Sequence, residues 1–216
     1  MLPDKPTEAS APSHWPTDML ELVIDLTALR ANFQQLRQWC RPDVKIMGVV
    51  KADAYGHGLV PVARTLVDAG ADHFGVAYLH EGLRLRQAGI TLPILLLMGV
   101  LPSEAAAAVQ ADLEVALFRQ DVATALAAQA RQQGKKARIH VKIDTGMGRL
   151  GILPAEVLPF LEFLAGLPEL TIAGLISHLA TADWRDQTYA LQQVREFDAR
   201  HRQVRDRGWP VPASHI

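Results

Sequence analysis

Val49-Val50-Lys51-Ala52-Asp53-Ala54-Tyr55-Gly56-His57-Gly58 is the stretch that decides the fold class of this chain. An apolar run (Ile46, Met47, Val49, Val50) ends on a lysine, and a turn with a tyrosine and two glycines follows at once. The run is short, β-branched and uncharged, so it reads as a strand buried on both faces of a parallel sheet. In an α/β barrel such a strand delivers its last side chain to the catalytic end, at the start of the βα loop. Lys51 is therefore expected in a pocket. Desolvation there disfavours the ammonium form and readies the amine for a Schiff base with a carbonyl compound. A solvated lysine at a strand end is the alternative for Lys51 taken alone. Tyr55 offers a phenol donor to an anion, while Gly56 and Gly58 let the backbone approach closely or take positive φ. Singly, each glycine is an ordinary turn residue.

Outward from this stretch the chain alternates strand and helix. Glu21–Asp25 is a short strand candidate, followed by a helix through Leu26, Leu29, Phe33, Leu36 and Cys40. After the Lys51 strand, helices are expected near 59–68, 79–88, 121–133, 158–166 and 184–207, with glycines as stops. A short alanine-rich helix starts at Ser103, a suitable N-cap. Strands are expected at 73–77, 93–98, 113–118, 137–144 and 171–178, and 212–216 begins a seventh. Six complete units and an unfinished seventh predict an α/β fold, a (β/α)8 TIM-type barrel incomplete at its C-terminus. A doubly wound open sheet is the competing topology, but Gly48 in mid-strand is not the phosphate-binding loop it would need after its first strand.

Two further stretches fall at the same barrel end. Lys142-Ile143-Asp144-Thr145-Gly146-Met147-Gly148-Arg149 closes the fifth strand, and Arg149 presents a permanent positive fork on a glycine-rich loop. An Arg149–Asp144 pair that merely stabilises the loop fits the spacing equally well. Ile176-Ser177-His178-Leu179 closes the sixth strand, and by position His178 reads as a hydrogen-bonded core histidine or as a ligand contact.

These three segments resemble, in order, the motifs of the alanine racemase family, over a span from about Glu21 to Ile216. The resemblance implies pyridoxal 5'-phosphate as cofactor and Lys51 as its Schiff-base lysine. It implies that Tyr55 bonds the phosphate, that His178 packs on the pyridine ring, and that Arg149 contacts the phenolic oxygen and the substrate carboxylate. Met147 is expected to line the site, and His57 to fix its own loop. In some relatives the lysine matching Lys142 is carbamylated, which requires a partly buried neutral amine; salt-bridge or surface roles are the alternatives for Lys142. By this resemblance Lys51 exchanges the Cα proton of alanine on one face, and a tyrosine from the partner subunit of a homodimer serves the other. The three tyrosines here are Tyr55, Tyr78 and Tyr189, and neither Tyr78 nor Tyr189 matches that motif. The family's seventh-strand phosphate segment, its pyridine-facing arginine and its second, β-rich domain have no counterpart in these residues. The chain is thus expected to be a truncated racemase that lacks full activity. A single-domain pyridoxal-phosphate-binding protein of cofactor homeostasis is the alternative, and a decarboxylase on the same barrel a more remote one.

Bulk properties narrow the classes. The 216 residues are 49% hydrophobic and 21% charged, as in a globular protein. A net charge of −1 argues against nucleic acid and against an acidic membrane surface. The single cysteine, Cys40, precludes an internal disulfide and suits the cytoplasm; beside Trp39 it reads as packing. The eight histidines lack metal-ligand spacing, so no metal is expected. Residues 1–17, with Pro3, Pro6, Pro12 and Pro16, read as a flexible arm rather than a secretion signal, leaving 18–216 as the barrel domain.

Overall fold

The computed structural model describes residues 22–216. The expected arm at 1–17 lies outside the described residues. Within the expected first strand, Leu22–Asp25 is irregular and Leu22 and Val23 are exposed, a correction with a local cause. Asp25 is committed to capping helix α1 (Leu26–Trp39), where its Oδ1 accepts the N–H groups of Thr27 and Ala28 at 2.8 and 3.0 Å.

Strands and helices then alternate as β1 (Met47–Val49), α2 (Lys51–Tyr55), α3 (Leu59–Asp68), β2 (His73–Val76), α4 (Leu79–Gln87), β3 (Ile94–Leu96), α5 (Ala105–Gln110), β4 (Glu114–Leu117), α6 (Gln120–Gln132), β5 (Ala137–Lys142), α7 (Val157–Ala165), β6 (Leu170–Ile176), α8 (Thr188–Asp206) and β7 (Ser214–His215). The seven strands form one sheet in sequence order, every neighbouring pair parallel. A doubly wound sheet reverses its strand order at a switch point, and this one does not. The order is that of a barrel wall.

Period-two alternation divides the core. In β3 and β4, Ile94, Leu96, Val115 and Leu117 join a large cluster with helix residues such as Leu59, Leu85, Leu126 and Leu161. The intervening Leu95 and Ala116 join Ile176, Met47 and Leu97 in a small second cluster on the opposite face. β1 departs from the expected double burial: among the described residues it pairs only with β2, and Val49 is 41% exposed. Two boundaries also move. A 3₁₀ turn, Pro102–Glu104, precedes α5, and the Glu104 carboxylate rather than Ser103 accepts the Leu101 N–H at 2.8 Å. Helix α8 begins at Thr188, whose N–H is taken by Asp186 at 2.9 Å, rather than near Trp184.

Around the first residues of β2 and β4 lies a buried polar cluster that linear spacing conceals. Glu114 Oε2 is 3.0 Å from His73 Nε2 and 2.8 Å from His140 Nε2, while Arg138 donates to Oε1 at 2.6 Å. Burial raises the Glu114 pKa, but bonds from His140, His73 and Arg138 outweigh it and hold the carboxyl well below its usual range. His215 approaches His140 Nδ1 at 3.3 Å, and burial beside His140 and His73 pushes it down to about 4. The expectation of no metal rested on spacing along the chain, yet the ligand atoms of His73, Glu114 and His140 lie within 4.8 Å of one another. The contacts within the cluster fasten β2, β4, β5 and β7 together. Among the described residues no helix is long and apolar enough to cross a membrane.

Candidate active site

The C-terminal end of β1 turns immediately into α2, a single left-handed turn. Ala52, Asp53, Ala54 and Tyr55 have φ between 52° and 56°. Four successive non-glycine residues in this region cost about 1–2 kcal/mol each, so the surroundings must hold the turn in place. Backbone bonds close it, from Ala54 N to Val50 O at 2.9 Å and from Gly56 N to Ala52 O at 3.0 Å. Asp53 Oδ1 accepts the Leu59 N–H at 3.1 Å, and His57 Nδ1 meets Ala54 O at 2.8 Å, the loop-fixing role expected of His57. The consequence is placement: Lys51 sits half-buried at the strand end, with its Nζ 6.0 Å from the centre of the exposed Tyr55 ring.

The loop after β5 is built around a carboxylate. Asp144 Oδ1 accepts the N–H groups of Gly146 and Gly148, both at 3.0 Å, and Oδ2 accepts that of Arg149 at 3.1 Å. Burial would raise the Asp144 pKa, but the backbone donors, led by Gly148 and Gly146, hold it below its ordinary value. Asp144 therefore organises the backbone that carries Arg149 instead of pairing with its guanidinium, which corrects the ion-pair alternative. Gly151 closes the loop. At φ 138°, a Cβ there would lie 2.5 Å from Asp144 N, so only glycine lets the chain return alongside Ile143.

Lys142 is buried, with Nζ 3.3 Å from Leu97 O, so the surface role is excluded. Desolvation lowers its pKa, and the neighbouring charges of Arg149 and Lys51 lower it further against an opposing pull from Asp144. His178 stands exposed just beyond β6, not in the core as its position alone allowed. Its pKa is likewise lowered, by desolvation first and then by Arg149, Lys142 and Lys51. Lys51, Lys142, Arg149 and His178 thus lie near one another at the ends of β1, β5 and β6. Met147 is half-buried on the Arg149 loop.

Three supporting residues escaped sequence reading. Gln193 of α8, fully buried, donates to His178 O at 3.1 Å and accepts from Ala180 N at 2.9 Å, tying α8 to the His178 loop. Tyr189, one turn earlier, donates to Gly146 O at 2.7 Å. Neither has a signal in a helix that is mostly polar. Glu81 accepts the N–H groups of Ala52, Ala77 and Tyr78, and its position three residues after Tyr78 at a helix start was a readable capping-box spacing.

Residues 24–216 match the family model for the N-terminal domain of alanine racemase. The chain is 43% identical over 174 residues to the alanine racemase of Halothermothrix orenii, covering 81% of this chain and 46% of that protein. It is 46% identical, with the same coverage, to that of Syntrophobacter fumaroxidans. Among solved structures, the alanine racemase of Clostridium difficile 630 superposes with a TM-score of 0.85 at 34% identity, over 88% of this chain and 50% of that one. The Bacillus anthracis alanine racemase with bound L-Ala-P gives 0.83 at 34% identity, over 89% of this chain and 50% of that one. The chain spans about half the length of these relatives. Seven parallel strands in sequence order, a lysine ending the first and a basic cluster at the strand ends agree with that match, and the chain belongs to the alanine racemase family.

Proposed function

We propose that residues 18–216 are the pyridoxal-phosphate-binding barrel domain of a cytoplasmic amino-acid racemase that interconverts L- and D-alanine, the latter for peptidoglycan. The observation that carries this reading is the gathering of Lys51, Lys142, Arg149 and His178 at the ends of β1, β5 and β6, where the charges of Lys51 and Arg149 act on both Lys142 and His178. Such a mouth suits a phosphorylated aldehyde and a carboxylate substrate: it offers a primary amine, a permanent positive fork and a neutral-leaning imidazole. Pyridoxal phosphate, when bound, supplies the electron sink that makes a substrate Cα–H acidic.

The protein's part follows from its own residues. Lys51 holds the cofactor and, once its amine is free, removes or returns the Cα proton on one face. Tyr55 donates its phenol to the phosphate, and Arg149 binds the substrate carboxylate and the phenolic oxygen, with Met147 beside it. His178, whose pKa is lowered first by desolvation and then by the cations around it, packs on the pyridine ring. The burial and lowered pKa of Lys142 favour the neutral amine that carbamylation needs, and a carbamylated Lys142 would turn an additional cation into an anionic partner for Arg149. Racemisation also needs an acid on the opposite face. By the family resemblance that acid is a tyrosine from the partner subunit of a full-length homodimer; in this chain Tyr189 donates to Gly146 O, and Tyr78 stacks on His80 at 6.0 Å.

The test is an absorbance titration with pyridoxal phosphate, run on this chain and on Lys51→Ala. A visible-edge band in the wild-type chain that vanishes in the variant is expected. A following incubation with L-alanine in deuterated water reports Cα exchange and racemisation separately. Exchange without D-alanine is the outcome expected of one-face chemistry, whereas the absence of any Lys51-dependent band would overturn the reading.

A further inference from the structure

We propose that Glu81 is the positioning residue of the Lys51 turn: its carboxylate holds the strained left-handed segment in the one conformation that sets Lys51 and Tyr55 side by side. The inference rests on the cofactor reading above for its consequence, but the hold itself is a property of the chain alone.

Glu81 is 4% exposed and lies in the first turn of α4, beyond β2. Its two oxygens serve different loops. Oε2 accepts from Ala77 N at 2.7 Å and Tyr78 N at 3.0 Å, which fixes the start of its own helix. Oε1 reaches across to the neighbouring loop and accepts from Ala52 N at 2.6 Å. Ala52 is the first residue of the left-handed turn and the one directly after Lys51. A left-handed run of alanine, aspartate, alanine and tyrosine relaxes toward ordinary backbone unless something outside it selects the observed geometry. The Glu81–Ala52 bond is charge-assisted, short and buried at the acceptor, and it links the turn to the rigid start of α4. Asp53 secures the far end through Leu59 N, so the turn is pinned at both ends.

The division of labour between the two oxygens makes a selective test available. In Glu81→Gln the amide oxygen keeps its two bonds to Ala77 and Tyr78, and the amide nitrogen then faces the Ala52 N–H, donor against donor. The helix cap survives while the hold on the turn is lost. Ala52→Gly supplies the complementary variant, because glycine enters the left-handed region without penalty and lessens the need for the hold.

Two measurements on the 216-residue chain separate the possibilities. Amide hydrogen exchange without cofactor is expected to quicken at residues 52–58 in Glu81→Gln and to stay unchanged in β3 and β4. Pyridoxal phosphate titration, read at the Lys51-dependent band, is expected to show a dissociation constant about tenfold higher, the consequence of one lost charge-assisted bond. Adding Ala52→Gly is expected to recover most of both losses. Unchanged exchange at 52–58 in Glu81→Gln overturns the proposal, as does exchange that quickens uniformly through the sheet, since that marks a general fold residue. If the wild-type chain gives no Lys51-dependent band, the cofactor reading fails by itself, and the exchange measurement still decides the role of Glu81.

Discussion

Replacing Asp144 with alanine removes the acceptor around which the Arg149 loop is wound. Three backbone N–H groups, from Gly146, Gly148 and Arg149, lose a charged partner at 3.0–3.1 Å. In a dry interior each bond to a charged acceptor contributes about 1.5–3 kcal/mol. Here Gly146, Gly148 and Arg149 are exposed, so water replaces part of what is lost and the total falls to about 2–3 kcal/mol. The pH dependence carries the sharper test. The pKa of the folded Asp144 carboxyl lies below its ordinary value, so the unfolded chain takes up its proton first as pH falls. Its stabilisation is therefore complete above the unfolded value and disappears as pH drops through the lower folded value. Urea unfolding of the wild type and of Asp144→Ala, compared from pH 7 downward, isolates this group, because the other carboxyls titrate alike in both proteins. A gap near 2–3 kcal/mol at neutral pH, narrowing below pH ~4, is the expected result. A gap that stays constant across the acid range, or none at pH 7, would show that the carboxylate does not organise the loop.

Gly151→Ala places a Cβ 2.5 Å from Asp144 N at a φ of 138°; a loss of about 2–4 kcal/mol is expected in a chemical melt, and a neutral result would remove the steric argument. Arg149→Gln deletes a positive neighbour of Lys142, so the Lys142 pKa, followed by NMR of reductively ¹³C-methylated lysines, is expected to rise toward its ordinary value. Tyr189→Phe removes the bond to Gly146 O and is expected to cost about 1 kcal/mol while loosening pyridoxal phosphate binding through the Arg149 loop.

Much of the fold was readable because the strongest signals are local. Glycines at 70, 89, 134 and 208 all adopt positive φ just past the helices they were expected to end, and the later strands fall within their expected spans except β6, which starts one residue early at Leu170. The errors have common physical origins. Leu22–Asp25 has the composition of a strand, yet strand formation requires a partner, and Asp25 is drawn into a cap instead. The exposure of Val49 was invisible for the same reason, since an edge strand and a central one share one sequence pattern. At the site, the polar residues on strand ends were legible from their positions after apolar runs. Their supports were not. Gln193 reaches His178 from fifteen residues away in the chain, and Glu81 reaches Ala52 across twenty-nine, distances over which sequence periodicity carries no information. The left-handed turn was half legible: Gly56 and Gly58 announced positive φ, but the alanines, the aspartate and the tyrosine that share it gave no sign.

The electrostatics of the mouth explain why these supports matter. Desolvation first, and then the nearby charges of Arg149 and Lys51, push Lys142 and His178 toward their neutral forms, while the Asp144 carboxylate is spent on backbone N–H groups. Like charges at such distances separate unless the backbone fixes them. The strained turn fixes Lys51, the Asp144 loop fixes Arg149, and Gln193 fixes the strand end that carries His178. An anionic ligand that fills the site cancels this repulsion, so binding stabilises the fold beyond its direct contacts. The same reasoning requires that ligand-induced stabilisation weaken with added salt, because salt screens both the repulsion and its relief. Thermal melts with and without pyridoxal phosphate at low and high ionic strength measure this directly. A ligand-dependent rise in Tm that is insensitive to salt would mean that hydrogen bonds and packing, rather than the gathered cations, hold the anion.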